Sequence, residues 1–352
     1  MERYLQCLLV FFFVVILSGC SFGIGGSSSG EIGGVLVSKN SGVDWELKNR
    51  VDDKQNISKV DVLTVAIDPV DNERVYLGTK DKGVVVSKDG AESWEKIKFP
   101  ANKVYGIAVN YFKPSDIYAL GVSGERGKAY RTDNYGETWS EIYTEPADGT
   151  VIISLAMDKN NPMVLYIGTS KGVILKTVDG GETWRSLYTA SGPITKIVFG
   201  GGLDRHIYFV VQESQVLVSD IDGDNFKVIS GAVNNVENKG LGKIYSLAVS
   251  DSDNGALYIG TDNGVFRSYN AGENLEEVGV LATSKGFPIR SIAINPKNSQ
   301  EIVYSAAQAI YKSTDAGKNW STYQLNTGKL ISEIIFKPSD VNIIYAGLRS
   351  FK

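Results

Sequence analysis

TVDGGETW, from Thr177 to Trp184, is the stretch of this sequence that decides its fold. Its pattern is Ser/Thr-x-Asp-x-Gly-x-Thr-Trp, and related octets begin at residues 38, 87, 132, 177, 219, 268 and 313. Successive copies lie 42 to 49 residues apart, and each of the 5 tryptophans of the chain closes one of them. A period in this range indicates a repeat architecture.

Each octet predicts a tight hairpin turn, which we call a box. The Ser/Thr and Asp side chains can hydrogen-bond the backbone of the turn in which they lie, and glycine supplies a positive φ. The closing tryptophan is large and apolar, so we expect it to pack between neighbouring sheets. We assign this structural role to Ser87, Asp89, Trp94, Thr132, Gly136, Trp139, Thr177, Asp179, Gly181, Trp184, Ser313, Asp315, Gly317 and Trp320.

The segments between boxes predict four short strands per repeat. An apolar strand such as residues 62–67 is followed by a turn such as residues 68–73 and by a second strand that carries a tyrosine. A third strand enters the box, and a fourth leaves it. Four strands per repeat of this length are typical of propeller blades. The predicted class is therefore all-β, a seven-bladed β-propeller of four-stranded antiparallel blades.

The two ends of the repeat array predict how the ring closes. The array begins with a third strand at 34–37, and it ends with a first strand at 330–336 and a second at 343–347. We expect the N-terminal hairpin to complete the last blade, because closure removes exposed strand edges. The propeller should span residues 34–352. Loops joining strands two and three, or successive blades, then share one face, the top face, and the boxes lie on the bottom face.

The boxes resemble the Asp-box (BNR) repeats of sialidases, sortilin-type domains, xyloglucanase-like hydrolases and photosystem II assembly-factor propellers. The resemblance covers roughly residues 34–350 and implies a fold, since the box occurs in enzymes and non-enzymes alike. A sialidase would need three converging arginines and an Arg-Ile-Pro motif, which is absent. A xyloglucanase-like hydrolase would need two facing carboxylates, and that family generally pairs two propellers, where this chain has one.

The N-terminus predicts export and lipidation. Residues 7–17 form an apolar run of signal-peptide length, and Leu17-Ser18-Gly19-Cys20 resembles a bacterial lipobox. We expect a signal peptide over residues 1–19, a lipid on Cys20 and a Gly/Ser-rich tether over 20–33. The protein would then be anchored by membrane lipid to the cell membrane or outer membrane, facing away from the cytoplasm. An ordinary signal peptide with an incidental cysteine is the alternative.

Composition excludes several classes of chemistry. The net charge is −4, from 36 basic and 40 acidic residues, which gives no electrostatic case for nucleic acid. One histidine and two cysteines, Cys7 and Cys20, leave no material for a histidine or thiolate metal site. Residues 220–225 begin like a calcium loop but lack its glycine and its final glutamate, so a box turn is the favoured interpretation. We expect no cofactor and no metal.

Function is assigned to the top face. Segments longer than the minimal repeat are 120–128, 143–150, 231–243 and 280–288, and long loops often carry function. We expect a non-catalytic protein-interaction or assembly module with a protein partner at the envelope. The alternative is a carbohydrate-active propeller, either a glycoside hydrolase or a glycan-binding protein. The predicted contact residues are Arg126, Lys128, Lys239, Lys285, Phe287 and Arg290.

Overall fold

A computed structural model describes residues 32–51, 55–201, 206–229, 240–253, 255–281 and 287–351. In these ranges the chain forms seven antiparallel sheets of four strands, and this confirms the predicted seven-bladed propeller. No helix in the described part of the chain is long and apolar enough to cross a membrane. The predicted signal peptide, Cys20 and almost all of the tether lie outside the described residues.

We number the blades from the first that is built from consecutive strands. Blade 1 holds β3 (Val62–Ile67), β4 (Val75–Thr79), β5 (Val84–Ser87) and β6 (Glu95–Lys96). Blade 2 holds β7 (Lys103–Val109), β8 (Ile117–Ser123), β9 (Arg126–Thr132) and β10 (Ser140–Thr144). Blade 3 holds β11 (Ile152–Met157), β12 (Leu165–Thr169), β13 (Val173–Thr177) and β14 (Arg185–Thr189). Blade 4 holds β15 (Ile194–Phe199), β16 (His206–Val211), β17 (Gln215–Asp220) and β18 (Lys227–Val228).

The remaining blades follow the same order from the inner to the outer strand. Blade 5 holds β19 (Ile244–Val249), β20 (Leu257–Thr261), β21 (Val265–Ser268) and β22 (Glu276–Val278). Blade 6 holds β23 (Ser291–Asn295), β24 (Asn298–Ala306), β25 (Ala309–Ser313) and β26 (Ser321–Gln324). Blade 7 holds β27 (Leu330–Phe336), β28 (Ile344–Arg349), β1 (Gly34–Ser38) and β2 (Glu46–Leu47).

Blade 7 is shared between the two ends of the repeat array, as predicted. Strand β1 pairs with β28 over five residues, with Leu36 opposite Ala346 and Val37 opposite Tyr345. The ring is also joined at its junction with blade 1, where Lys329 Nζ lies 2.6 Å from the buried Asp61 carboxylate. The N-terminal hairpin therefore removes the strand edge that β28 would otherwise expose.

The core lies between blades. The tyrosine of each second strand is fully buried, at 2% exposure or less; these residues are Tyr76, Tyr118, Tyr166, Tyr208, Tyr258, Tyr304 and Tyr345. Tyr118 donates a hydrogen bond to Gly180 O in the box of the next blade, and Tyr166 does the same to Ile221 O. Burial raises the pKa of Tyr118 to about 12. These two hydrogen bonds connect blade 2 to blade 3 and blade 3 to blade 4.

One predicted loop is a pair of strands. The segment 120–128, expected to be a long top-face loop, forms the ends of β8 and β9 and pairs as far as Ser123 and Arg126. Only Gly124 and Glu125 make the turn. The polar residues of this segment therefore lie in an extended hairpin, where their backbone groups are paired across the two strands.

Candidate functional site

A cavity of about 550 Å³ lies on the top face between blades 6 and 7. Its walls combine aromatic rings, two amide side chains and one guanidinium, a lining that is typical of a ligand site. The lining residues are Phe287, Pro288, Arg290, Ala306, Ala307, Gln308, Ala309, Tyr311, Gln324, Leu330 and Phe351. None of these lining residues carries a carboxylate, and their aromatic and amide groups are suited to binding a ligand.

The strand ends of blade 6 hold the outer wall of this cavity. Strands β24 and β25 are joined by the two-residue turn Ala307-Gln308, in which Ala307 has a φ of 50°. The side-chain amide of Gln324 donates to Gln308 O at 3.0 Å, which fixes its orientation. The ring of Tyr311 stacks on the buried Tyr304, with centroids 4.7 Å apart and planes 9° from parallel. The wall is therefore preformed.

Two arginines stand where the cavity meets the mouth of the central channel. Arg290 immediately precedes the inner strand β23, and Arg349 ends β28. Their guanidinium carbons lie 4.5 Å and 5.0 Å from the ring centroid of Phe351. Arg290 also lies over Tyr245 of blade 5, at 4.9 Å. Three blades thus contribute to one cationic and aromatic cluster.

Both arginines of this cluster have an Nε that is unpaired among the described residues, although the charge of Glu213 acts on Arg290 from a distance. The Nε of Arg290 and that of Arg349 are buried without a hydrogen-bond partner in the described part of the chain. The neighbouring acids are already engaged, since Glu213 pairs with Lys243 at 2.7 Å and Asp61 pairs with Lys329 at 2.6 Å. Burial lowers the pKa of Arg290, and Arg349 lowers it further.

The inner strands share an irregularity that directs side chains toward the channel mouth. In six blades the register shifts by one residue near the start of the inner strand. Bulges of this kind redirect a side chain, and they are common beside binding sites. Tyr105 and Tyr245 occupy the shifted position in their blades, and Arg290 occupies the equivalent position in blade 6. Arg349 acts electrostatically on both Tyr105 and Arg290, which places them around one mouth.

The predicted contact residues do not form one constellation. Phe287 and Arg290 both line the cavity. Arg126 and Lys128 belong to blade 2, where they pair with Asp148 and Glu141. Lys239 and Lys285 lie outside the described residues. The structure therefore brings two of the six predicted residues together.

The boxes are turns, as their sequence indicates. In the box of blade 3, Gly181 N donates to Thr177 Oγ1 at 3.0 Å and Thr183 N donates to Asp179 Oδ1 at 2.9 Å. The hydroxyls of Thr177 and Thr183 hold the pKa of Asp179 well below its usual range. Equivalent bonds recur in the boxes of Ser87, Thr132 and Ser313. The carboxylate of Asp179 is thus hydrogen-bonded within its own turn.

The calcium-like segment is also a turn. Asp220 Oδ1 accepts a hydrogen bond from Asp224 N at 2.8 Å, and Asp220 Oδ2 accepts one from Asn225 Nδ2 at 3.1 Å. Over the ranges that the structure describes, no group of three His, Cys, Asp or Glu side chains is placed to hold a metal ion.

One top-face carboxyl group has an altered acidity. Glu145 follows β10 and is 6% exposed. Tyr143 Oη donates to Glu145 Oε1 at 3.2 Å, but burial raises the pKa of Glu145 above its ordinary value. A raised carboxyl pKa is one property of the general acids of glycosidases.

Sequence reasoning missed Gln308, Tyr311, Gln324, Arg349 and Phe351. In the sequence, Tyr311, Gln308 and Gln324 are indistinguishable from ordinary residues at strand ends. Arg349 ends the second strand of blade 7 and Phe351 follows it, and among the described blades this is the one whose third strand comes from the other end of the array. Tyr105, Tyr245 and Arg290 occupy equivalent positions at or just before the start of their inner strands. This shared position could have indicated from the sequence that the three residues lie around one site.

Comparison with known proteins relates this chain to xyloglucanases. No protein-family profile matches it. It is 25% identical over 295 residues to xyloglucanase Xgh74A of Acetivibrio thermocellus, across 74% of this chain and 32% of that protein. It is 28% identical over 114 residues to an oligoxyloglucan-reducing-end-specific xyloglucanase of Emericella nidulans, across 31% of this chain and 14% of that protein.

Solved structures show the same fold. The GH74 xyloglucanase of Xanthomonas campestris superposes with a TM-score of 0.68 at 17% identity, over 82% of this chain and 51% of that one. YCF48 of Cyanidioschyzon merolae superposes with a TM-score of 0.61 at 16% identity, over 82% of this chain and 95% of that one. The chain thus spans about half, or less, of the length of the xyloglucanases that it resembles.

These findings overturn the predicted function. The sequence relatives are glycoside hydrolases, so the expectation of a non-catalytic protein-interaction or assembly module is wrong. They favour the alternative, a carbohydrate-active propeller. Xyloglucanase relatives point to a glycosidase, at low identity.

Proposed function

We propose that this protein is a carbohydrate-active propeller that binds a xyloglucan-related glycan in the cavity between blades 6 and 7. The cavity itself carries the proposal, because its aromatic, amide and guanidinium lining suits a polyhydroxylated ligand. The relationship to xyloglucanases supports the class of ligand.

The wall residues have distinct roles in this binding mode. The half-exposed ring of Phe287 and the stacked ring of Tyr311 offer apolar faces to the sugar rings. Gln308 and Gln324 offer amide donors and acceptors to hydroxyl groups. Because Gln324 and Tyr311 are already held in place, binding requires little rearrangement, and less conformational entropy is lost.

A binding assay with a matched pair of variants tests this function. Isothermal titration with defined xyloglucan oligosaccharides should show binding to the wild type that Phe287→Ala weakens at least tenfold. Phe112→Ala is the control, since Phe112 is 74% exposed on the opposite face. Both rings are solvent-exposed, so neither change should alter folding. Absence of binding by the wild type, or equal weakening by both variants, would refute the proposal.

Hydrolysis is a second candidate function, and Glu145 favours it. Its raised pKa suits a general acid, but a glycosidase also needs a partner carboxylate roughly 5 to 10 Å away. Release of reducing ends from xyloglucan, lost in Glu145→Gln and retained in Glu125→Gln, would establish it. No release by the wild type would leave binding as the function.

We also propose that the protein is exported and held at the membrane through Cys20. The lipobox-like sequence over residues 17–20 and the Gly/Ser-rich tether support this placement. A glycan-binding propeller anchored in this way would act on the extracytoplasmic side, where polysaccharide is met.

A further inference from the structure

The two arginines at the channel mouth are the feature that glycan binding by the cavity walls leaves unexplained. Buried polar atoms are almost always hydrogen-bonded, and a buried one without a partner is costly. Yet the buried Nε atoms of Arg290 and Arg349 have no hydrogen-bond partner among the described residues, although both guanidinium groups lie against the ring of Phe351. Lysines and acids nearby are paired with each other instead.

We propose that Arg290 and Arg349 form a carboxylate-binding subsite, and that the xyloglucan-related glycan bound in the adjoining cavity carries a uronic acid beside its neutral sugars. This inference rests on the proposed glycan binding and names the class of sugar. Guanidinium groups bind carboxylates by paired, charge-assisted hydrogen bonds, which are the strong ones.

The layout of the cluster favours an acidic sugar over an acidic peptide. Arg290 lines both the subsite and the cavity, so one ligand can place a carboxylate on the arginines and a sugar ring against Phe287 or Tyr311. The cavity lining contains no lysine or second cationic patch that would follow a chain of peptide carboxylates. A single carboxylate attached to a ring matches the single pair of guanidiniums.

The subsite also has a fixed geometry. Phe351 lies against both guanidiniums, and Tyr245 lies against Arg290 on the side of blade 5. Aromatic faces hold a cation in place without neutralising it, since the ring carries no net charge. The arginines therefore keep their full attraction for an incoming anion while their side chains stay ordered.

The test compares tetragalacturonate with its methyl ester, in which each carboxyl group is uncharged and carries a methyl group. Titration at low salt should show the acid binding at least tenfold more tightly than the ester. Arg290→Gln and Arg349→Gln, singly and together, should remove that preference while binding of the ester is unchanged. Arg126→Gln is the matched control, because Arg126 pairs with Asp148 in blade 2 and should keep the full preference.

The outcomes separate this inference from the proposed function. Equal binding of acid and ester, or a preference that survives the double substitution, would overturn the carboxylate subsite while leaving glycan binding intact. Binding of an acidic peptide but of no sugar would overturn both. Thermal unfolding verifies that the variants fold, and removal of an unpaired buried charge should not lower Tm.

Discussion

The ion pair between Asp61 and Lys329 should make a large contribution to the stability of the closed ring. Asp61 immediately precedes β3 of blade 1, and Lys329 immediately precedes β27 of blade 7. The Asp61 carboxylate also accepts Ser350 N at 3.0 Å. Asp61→Asn keeps the shape of the side chain but removes the charge, so it leaves the Lys329 ammonium, which is 6% exposed, without its counter-ion.

The size of the expected loss of stability follows from the burial of Lys329. Removing one partner of a buried ion pair costs about 3 to 5 kcal/mol, because the remaining charge is uncompensated. A domain of this size loses roughly 2 °C in Tm per kcal/mol, so calorimetry should show a fall of roughly 6 to 10 °C. Asp61→Asn combined with Lys329→Met should recover most of the loss. Asp148→Asn, in an exposed top-face pair, should leave Tm unchanged within error.

The pH dependence provides an independent check. Burial alone would raise the pKa of Asp61. The pKa is nevertheless lowered, because the carboxylate accepts hydrogen bonds from Lys329 and Ser350 and is attracted by the charge of Lys329. A carboxyl group whose folded pKa is depressed stabilises the fold above its unfolded pKa, near 3.9, and the contribution is lost as pH falls through the folded value. The gap in Tm between wild type and Asp61→Asn should therefore be constant near neutrality and narrow in acid. A gap below 2 °C at neutral pH, or one that widens in acid, would refute this reasoning.

Three further predictions concern the box, the closing hairpin and the anchor. Gly181→Ala should cost about 1 to 3 kcal/mol in unfolding free energy, because φ is 96° and a Cβ would lie 2.6 Å from Ile142 Cδ1. Gly149→Ala, also at positive φ but with nothing within 4 Å, should cost less in the same denaturation experiment. Deleting residues 32–48 should expose the edge of β28 and cause aggregation in size-exclusion chromatography; a monomer of wild-type stability would contradict the shared blade. Cys20→Ser should move the protein from the membrane fraction to the soluble fraction, and unchanged membrane retention would count against lipidation.

The fold could be predicted from the sequence because its signals repeat. The boxes mark one turn in every blade, and the tyrosines mark the second strand that precedes each box. Even ring closure followed from the strand types at the two ends, and β27 occupies the predicted residues 330–336. Seven weak patterns that recur in the same order are consistent evidence for one structure.

The site could be predicted only in part, because no repeat encodes it. Phe287 and Arg290 lie close together in the sequence, and a loop-based argument found them. Arg349 and Phe351 join them only through the folded ring, and the lack of a partner for Arg349 has no sequence signal. The paired charges of Arg126 and Lys128 were equally invisible, since their partners lie across a hairpin that read as a loop.

The function was mispredicted for a related reason. The box forms a turn and packs against the neighbouring blade. Both carboxylate oxygens of Asp179 accept hydrogen bonds within this turn. A motif that stabilises a scaffold carries no information about the ligand of the scaffold. Information about the ligand lies in the strand ends around the cavity, which differ from blade to blade.

The shared blade also dictates the order of events during folding. Ser41 is bonded to Asn342, 301 positions away, so the first strand to be synthesised must wait for one of the last. The cost of closing a loop grows slowly with its length but must be met before any contact compensates for it. Blades 1 to 6 can each form from local contacts, whereas the ring can close only after β28 has left the ribosome. Until then, residues 34–47 are an unpaired hairpin that a second copy could capture, so a slow final step and strand exchange between nascent chains are built into this topology.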